Sequence, residues 1–121
     1  MQEIKLRYIV VRENGFIFSK IFQLPEIENG LVAEWIESNN INPKDINVDL
    51  FTGKQIKNVD AYEHDIIKSK IGIAGIIYNP NLSRFEASTI YGRIALHTYL
   101  QENPDSEIIG NKYQNPELIK E

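Results

Sequence analysis

The sequence predicts an α+β fold that is mostly β: an N-terminal hairpin, one docked helix and a small barrel of short, bent strands. Three observations carry that expectation. Isoleucine greatly outnumbers leucine, and β-branched side chains fit a pleated surface. Asn14-Gly15 stands between two strand-like runs. From Asp45 onward the apolar residues fall into short runs broken by Gly, Asn and Pro, whereas only residues 25–40 repeat them at helical spacing.

Taken in order, residues 3–12 alternate Ile4, Leu6, Tyr8 and Val10 against Lys5 and Arg7. Residues 16–24 follow, rich in Phe and Ile. Asn-Gly between such runs is a strong hairpin signal, because both positions of the tightest turn need φ > 0. Phe16, Phe18 and Phe22 share a face and are expected in the core. In residues 25–40, Ile27, Leu31 and Trp35 recur every four residues beside Val32 and Ile36, one apolar stripe on a helix. Asn29-Gly30 weakens its start, so the firm helix is residues 31–38, with Trp35 docking it on the sheet.

Further on, residues 47–52 alternate until Gly53, residues 65–68 are a brief apolar entry, and residues 71–78 are nearly all apolar. Gly72 and Gly75 within that last run suggest a bent, bulged strand. Asn79-Pro80-Asn81 turns the chain and residues 84–88 return. Residues 90–100 fit a strand through Ile94, Leu96, Thr98 and Leu100 or a helix through Ile90 and Ile94, and strand is the expectation. Residues 107–113 form a last strand, and Asn115, Pro116 and Glu117 supply the cap, first turn and dipole-matched acid of a terminal helical turn. Short strands with tight turns suggest a small SH3-like barrel.

With 121 residues, the chain is expected to be a single domain, 1–121, with a real core. No stretch approaches the ~20 apolar residues of a membrane span, and no apolar run follows a basic start. No cysteine is present, which excludes disulfides, thiolate metal sites and a Cys nucleophile. A cytoplasmic protein is expected.

The net charge is −4. Lys5, Arg7, Arg12 and Lys20 make the N-terminus basic, whereas residues 25–40 carry Glu26, Glu28, Glu34 and Glu37 with no basic residue. The C-terminal stretch is acidic through Glu102, Asp105, Glu107, Glu117 and Glu121. Those four N-terminal cations are the candidate nucleic-acid contacts, beside Tyr or Phe stacking groups.

Chemistry-bearing motifs are sparse. His64 stands between Glu63 and Asp65, yet on a strand these would point opposite ways, and His97 is too remote for zinc spacing. No G-x-S-x-G, P-loop, G-x-G-x-x-G or H-E-x-x-H occurs. No catalytic, cofactor-binding or metal-ligating residue is expected, and an enzyme is the least favoured class.

The tail Glu107-Ile108-Ile109-Gly110-Asn111-Lys112-Tyr113-Gln114-Asn115-Pro116-Glu117-Leu118-Ile119 closely resembles the closing VIGN-x-Y-x-NPEL string of the YopX family of phage and prophage proteins. Phe51-Thr52-Gly53 is similar to that family's YTG, and Tyr62-Glu63-His64-Asp65-Ile66-Ile67 to its YEGDIV. The opening Glu3-Ile4-Lys5-Leu6-Arg7 resembles its EIKFR. Departures mark a divergent member: Ile9-Val10 replaces Trp-Asp, the D-x-N-G turn is missing, and His64 replaces Gly.

The resemblance implies a mobile-element accessory protein that self-associates and carries no agreed catalytic or cofactor residue. The signature residues Thr52, Gly53, Tyr62, Asp65, Ile66, Gly110, Asn111, Asn115, Pro116 and Glu117 then read as structural. Gly110 would permit a φ that other residues resist, and Asn115-Pro116 would cap the final turn. Two functional expectations follow. One is a non-catalytic, self-associating module gripping a host or phage protein through the acidic stretch 26–37 and exposed strand edges. The alternative is a nucleic-acid-binding small barrel.

Overall fold

The computed structural model describes residues 4–119; Glu3, expected to open the first strand, and Glu121 of the acidic tail lie outside them. The chain clusters into two compact units, Met1–Phe51 and Thr52–Glu121. The fold is α+β and mostly β, and the expected small barrel takes the form of a curled half-barrel sheet, with a second sheet.

In the first unit, β1 (Lys5–Val11) and β2 (Ile17–Gln23) form the expected hairpin. Its turn differs from the expected one. Gly15 N–H donates to Arg12 O at 2.9 Å and Arg12 N–H to Phe16 O at 3.0 Å, and Gly15 has φ +87° while Asn14 stays out of the left-handed region. This is a type I turn closed by a left-handed glycine. Asn14 contributes its side chain, whose Oδ1 accepts Phe16 N–H at 3.0 Å.

Two helices follow, α1 (Leu24–Glu28) and α2 (Leu31–Ser38). Pro25 occupies the first turn of α1, and Glu26 accepts Gln23 N–H at 2.9 Å. Gly30 separates the helices at φ +78°, a conformation costly for any other residue. No residue of α2 is fully buried; the helix docks through Trp35. That ring meets Phe22, Phe18 and Tyr8 edge-on at centroid distances of 5.5, 5.9 and 6.4 Å, the geometry favoured by aromatic quadrupoles. Of the three phenylalanines expected in the core, Phe22 is fully buried, Phe18 half-buried and Phe16 exposed. A 3-10 turn, Pro43–Asp45, is capped by Asn42 and leads into β3 (Ile46–Ile56), which pairs with β1 with Arg7 opposite Asp49.

β3 continues past Gly53 rather than stopping there, because that glycine takes φ +81° within the strand. In the second unit its end turns into β4 (Val59–Tyr62) through Lys57 and Asn58, both left-handed at φ +50° and +67°. β5 (Asp65–Ser69), β6 (Gly72–Asn79), β7 (Arg84–Thr89), β8 (Gly92–Ala95), α3 (Leu96–Glu102) and β9 (Glu107–Asn111) follow, then a 3-10 turn, Pro116–Ile119. The sheet order is β8-β7-β6-β5-β9, every pair antiparallel.

One sheet face packs Ile67, Ala74, Ile76 and Ala87 against Leu96 and Tyr99 of α3, with Ile56 and Ala61. Here two expectations are corrected. Residues 90–100 are not one strand: β8 ends at Ala95 and α3 begins, because Leu96 and Tyr99 are both buried while Thr98 is exposed. Ser69 Oγ and Tyr99 Oη share a buried hydrogen bond of 2.8 Å, and Asn103 closes the helix by donating Nδ2–H to Tyr99 O at 2.9 Å. Nor is the irregularity at Gly75, whose pairings with Ile66 and Ser88 are regular. The shift lies between β5 and β9, where Ile66 faces Gly110 but Ile67 faces Ile108, leaving Ile109 as the extra residue.

Candidate functional site

The signature residues converge within the second unit. Thr52 Oγ1 donates to Ala61 O at 2.8 Å and accepts Lys54 N–H at 3.1 Å across left-handed Gly53. Beside Ala61, Tyr62 N–H donates to buried Asp65 Oδ2 at 2.8 Å, clamping the β4–β5 turn. His64, at φ +71°, sits in that turn, not on a strand. Its N–H donates to Ile76 O at 2.7 Å and its carbonyl accepts Lys112 N–H at 3.0 Å. Asp65 and Ile66 pair with Asn111 and Gly110. Asn111 Oδ1 accepts the N–H groups of Tyr113 and Gln114, each at 3.0 Å. Asn115 Oδ1 accepts Asn111 N–H at 3.3 Å, and Asn115 O accepts Leu118 N–H at 3.1 Å, opening the turn that holds Pro116 and Glu117.

Gly110 is required for a reason other than the expected one. Its φ lies outside the left-handed region. A Cβ built there would overlap Asn115 Oδ1 and lie 2.7 Å from Asn115 Cγ. The glycine makes room for the asparagine side chain that turns the tail.

The four candidate nucleic-acid contacts do not form one surface. Lys5 and Arg7 point to one face of the first sheet and Lys20, opposite Tyr8, to the other. Arg7 Nη2–H donates to Asp49 Oδ2 at 2.8 Å and Nε–H to the same oxygen at 3.3 Å, and the Asp49 side chain is fully buried. Lys5 Nζ stands 4.5 Å from the Phe51 centroid. Arg12 lies 5.1 Å over Phe18 and donates to Asn39 O at 2.9 Å.

Each unit also carries a groove. In the second, about 310 Å³ is floored by Ile73, Gly75 and Ile77, with Ser88, Thr89, Ile90, Leu118 and Ile119 around it. A Cβ on Gly75 would meet nothing within 4 Å, so the missing side chain deepens this groove. Glu86 stands opposite Ile77 on the same sheet face. The Arg84 guanidinium, 2.8 Å from its Oε2, holds the Glu86 carboxyl below its ordinary value against the opposing effect of burial, with Asn79 and Arg93 adding to the lowering. In the first unit, about 300 Å³ lies between β2 and the helices, lined by Lys20, Phe22, Glu26, Leu31, Glu34, Trp35, Ser38 and Asn39.

A family model described as YopX protein matches residues 12–120. The chain belongs to the YopX family. No curated protein and no solved structure matches it. Membership of YopX suggests a phage-type protein. The matched span contains the central strings and the tail, while the opening residues 3–7 precede it.

The place where this YopX chain has His64 instead of glycine is a left-handed backbone position, which explains the glycine and shows what the exchange costs. Partial compensation comes from Tyr113, whose Oη lies 3.2 Å from His64 Nδ1 with the rings edge-on at 5.8 Å. His97 is exposed on α3. Sequence reasoning overlooked both grooves and Tyr113. A glycine inside an apolar strand leaves a side-chain position empty on the sheet face, and Gly75 was that signal. The first-unit groove had none, since β2 and the helices meet only through tertiary packing.

Proposed function

We propose that the chain is a non-catalytic, self-associating protein-interaction module encoded by a phage or prophage and acting in the bacterial host cytosol, where it grips a host or phage protein. The observation that carries this reading is the second-unit groove with its apolar rim: Ile90 is 78% and Ile119 44% exposed. Apolar side chains presented on a hairpin tip and a short 3-10 turn characterise a contact surface rather than a core. Tyr91 extends that surface at 82% exposure. Among the described residues no helix is long and apolar enough to cross a membrane. The split placement of Lys5, Arg7 and Lys20 gives the nucleic-acid alternative no common face.

Light scattering on the purified protein across a concentration series tests self-association. The expected mass is a multiple of 14.0 kDa, falling to that of one chain in Ile90→Glu. A single-chain mass at every concentration for the unaltered protein would sink the proposal.

A further inference from the structure

We infer that the first-unit groove receives a lysine or arginine side chain from an extended basic segment of the partner protein; this deepens the interaction-module reading and rests on it. The half-buried Trp35 ring lines it and meets the fully buried Phe22 ring beneath edge-on at 5.5 Å. Ring faces attract cations through their quadrupole. Two carboxylates, Glu26 and Glu34, line the same groove. Rings beside carboxylates favour an ammonium or guanidinium over an anion or an apolar plug. The chain already places one cation there: Lys20 Nζ stands 5.4 Å from the Phe22 centroid.

The wider surface has matching charge. Residues 24–38 hold Glu26, Glu28, Glu34 and Glu37 with no Lys or Arg; these four carboxylates outnumber Lys20 in the groove and Arg12 bonded to Asn39 O at its edge, a field that draws basic segments to the helices. Glu26 is already committed through Oε1 to the Gln23 N–H, so Glu34, in the first turn of α2, is the more available carboxylate. Lys20 covers the Phe22 ring and brings a like charge into the groove, opposing an incoming cation. Its removal therefore strengthens binding, an effect opposite in sign to ordinary loss of a lining residue.

The chain has one tryptophan, so its fluorescence reports the groove directly. The full chain is titrated with capped pentalysine, pentaarginine and pentaglutamate. Both basic peptides are expected to shift Trp35 emission to saturation and pentaglutamate to leave it unchanged. Glu34→Gln should weaken binding about threefold to tenfold and Lys20→Ala strengthen it about threefold. Glu37→Gln and Lys44→Ala, which make the same changes in net charge at residues outside the groove lining, should each have the smaller effect, about twofold or less. Equal effects of groove and control variants, or no emission shift, would overturn the inference. Light scattering on the same samples separates this from the self-association proposal: intact assembly without peptide binding removes only the groove's role, and peptide binding by a single-chain protein removes only self-association.

Discussion

The two units hold themselves together differently. In the first, stability rests on side chains meeting across elements: the rings of Tyr8, Phe18, Phe22 and Trp35 and the Arg7–Asp49 pair. In the second, beyond its core, the YopX signature works mainly through the backbone. Gly53 and His64 occupy left-handed positions, and Thr52, Asp65, Asn111 and Asn115 accept main-chain N–H groups. Ring packing tolerates exchange at similar volume, whereas a side chain that satisfies a particular N–H has few substitutes. The motifs recognisable in the sequence lie mainly where the chain geometry is constrained, and the candidate binding groups lie largely elsewhere.

The largest effect expected from this difference is at Gly110. Gly110→Val should cost about 3 kcal/mol or more, because the new Cβ displaces Asn115 and releases the tail turn. Since the collision is with one side chain, Gly110→Ala combined with Asn115→Ala should cost less than the sum of the single changes. Urea denaturation of the four proteins measures this, and strict additivity would show that backbone strain, not Asn115, excludes larger residues. In the first unit, Arg7→Met should cost about 2–3 kcal/mol by removing the guanidinium from a buried carboxylate. If it cost nothing, the ion pair would be dispensable and the comparison would lose its first-unit anchor.

Much of the chain's organisation was legible because its signals are local. Alternation around Asn14-Gly15 marked the hairpin, and four-residue spacing marked α2 at residues 31–38. Non-local causes were hidden. α3 carries a pattern that fits either period, and burial of Tyr99 beneath the sheet decides it. β4 escaped notice because its turn uses Lys57-Asn58 at two left-handed positions, where glycine or Asn-Gly would be the usual signal. For Gly110 the position was recognisable but its reason was not, since the clash partner is a side chain five positions on. Likewise, nothing local to Lys5, Arg7, Arg12 and Lys20 showed that the sheet would separate them.

His64 sharpens the backbone half of the comparison. His64→Gly relieves the left-handed strain but loses the ring contact with Tyr113, so its net effect on stability should lie within about 0.5 kcal/mol. His64→Val keeps the strain and loses the contact, and should cost about 2 kcal/mol. The comparison is made by thermal unfolding of the three proteins. Equal stability of the Val and Gly variants would remove backbone conformation as the reason for glycine in the family's string.

The smallest effect concerns acid sensitivity. Arg84 lowers the Glu86 carboxyl from its ordinary value of 4.5, with Asn79 and Arg93 assisting. A group whose folded-state value is depressed contributes stability above its unfolded value, and that contribution fades as pH falls toward the folded value. The advantage of the unaltered protein over Glu86→Gln should therefore be constant from neutral pH down to about pH 5. It should shrink steadily below about 4.5. Arg84→Met should flatten this dependence, because the guanidinium is the largest cause of the shift. Melting temperatures of the three proteins at successive pH values measure both effects. A gap that widens on acidification would mean that burial raises the carboxyl more than Arg84 lowers it, and would make Glu86 an acid held against its preference on the face beside the apolar groove.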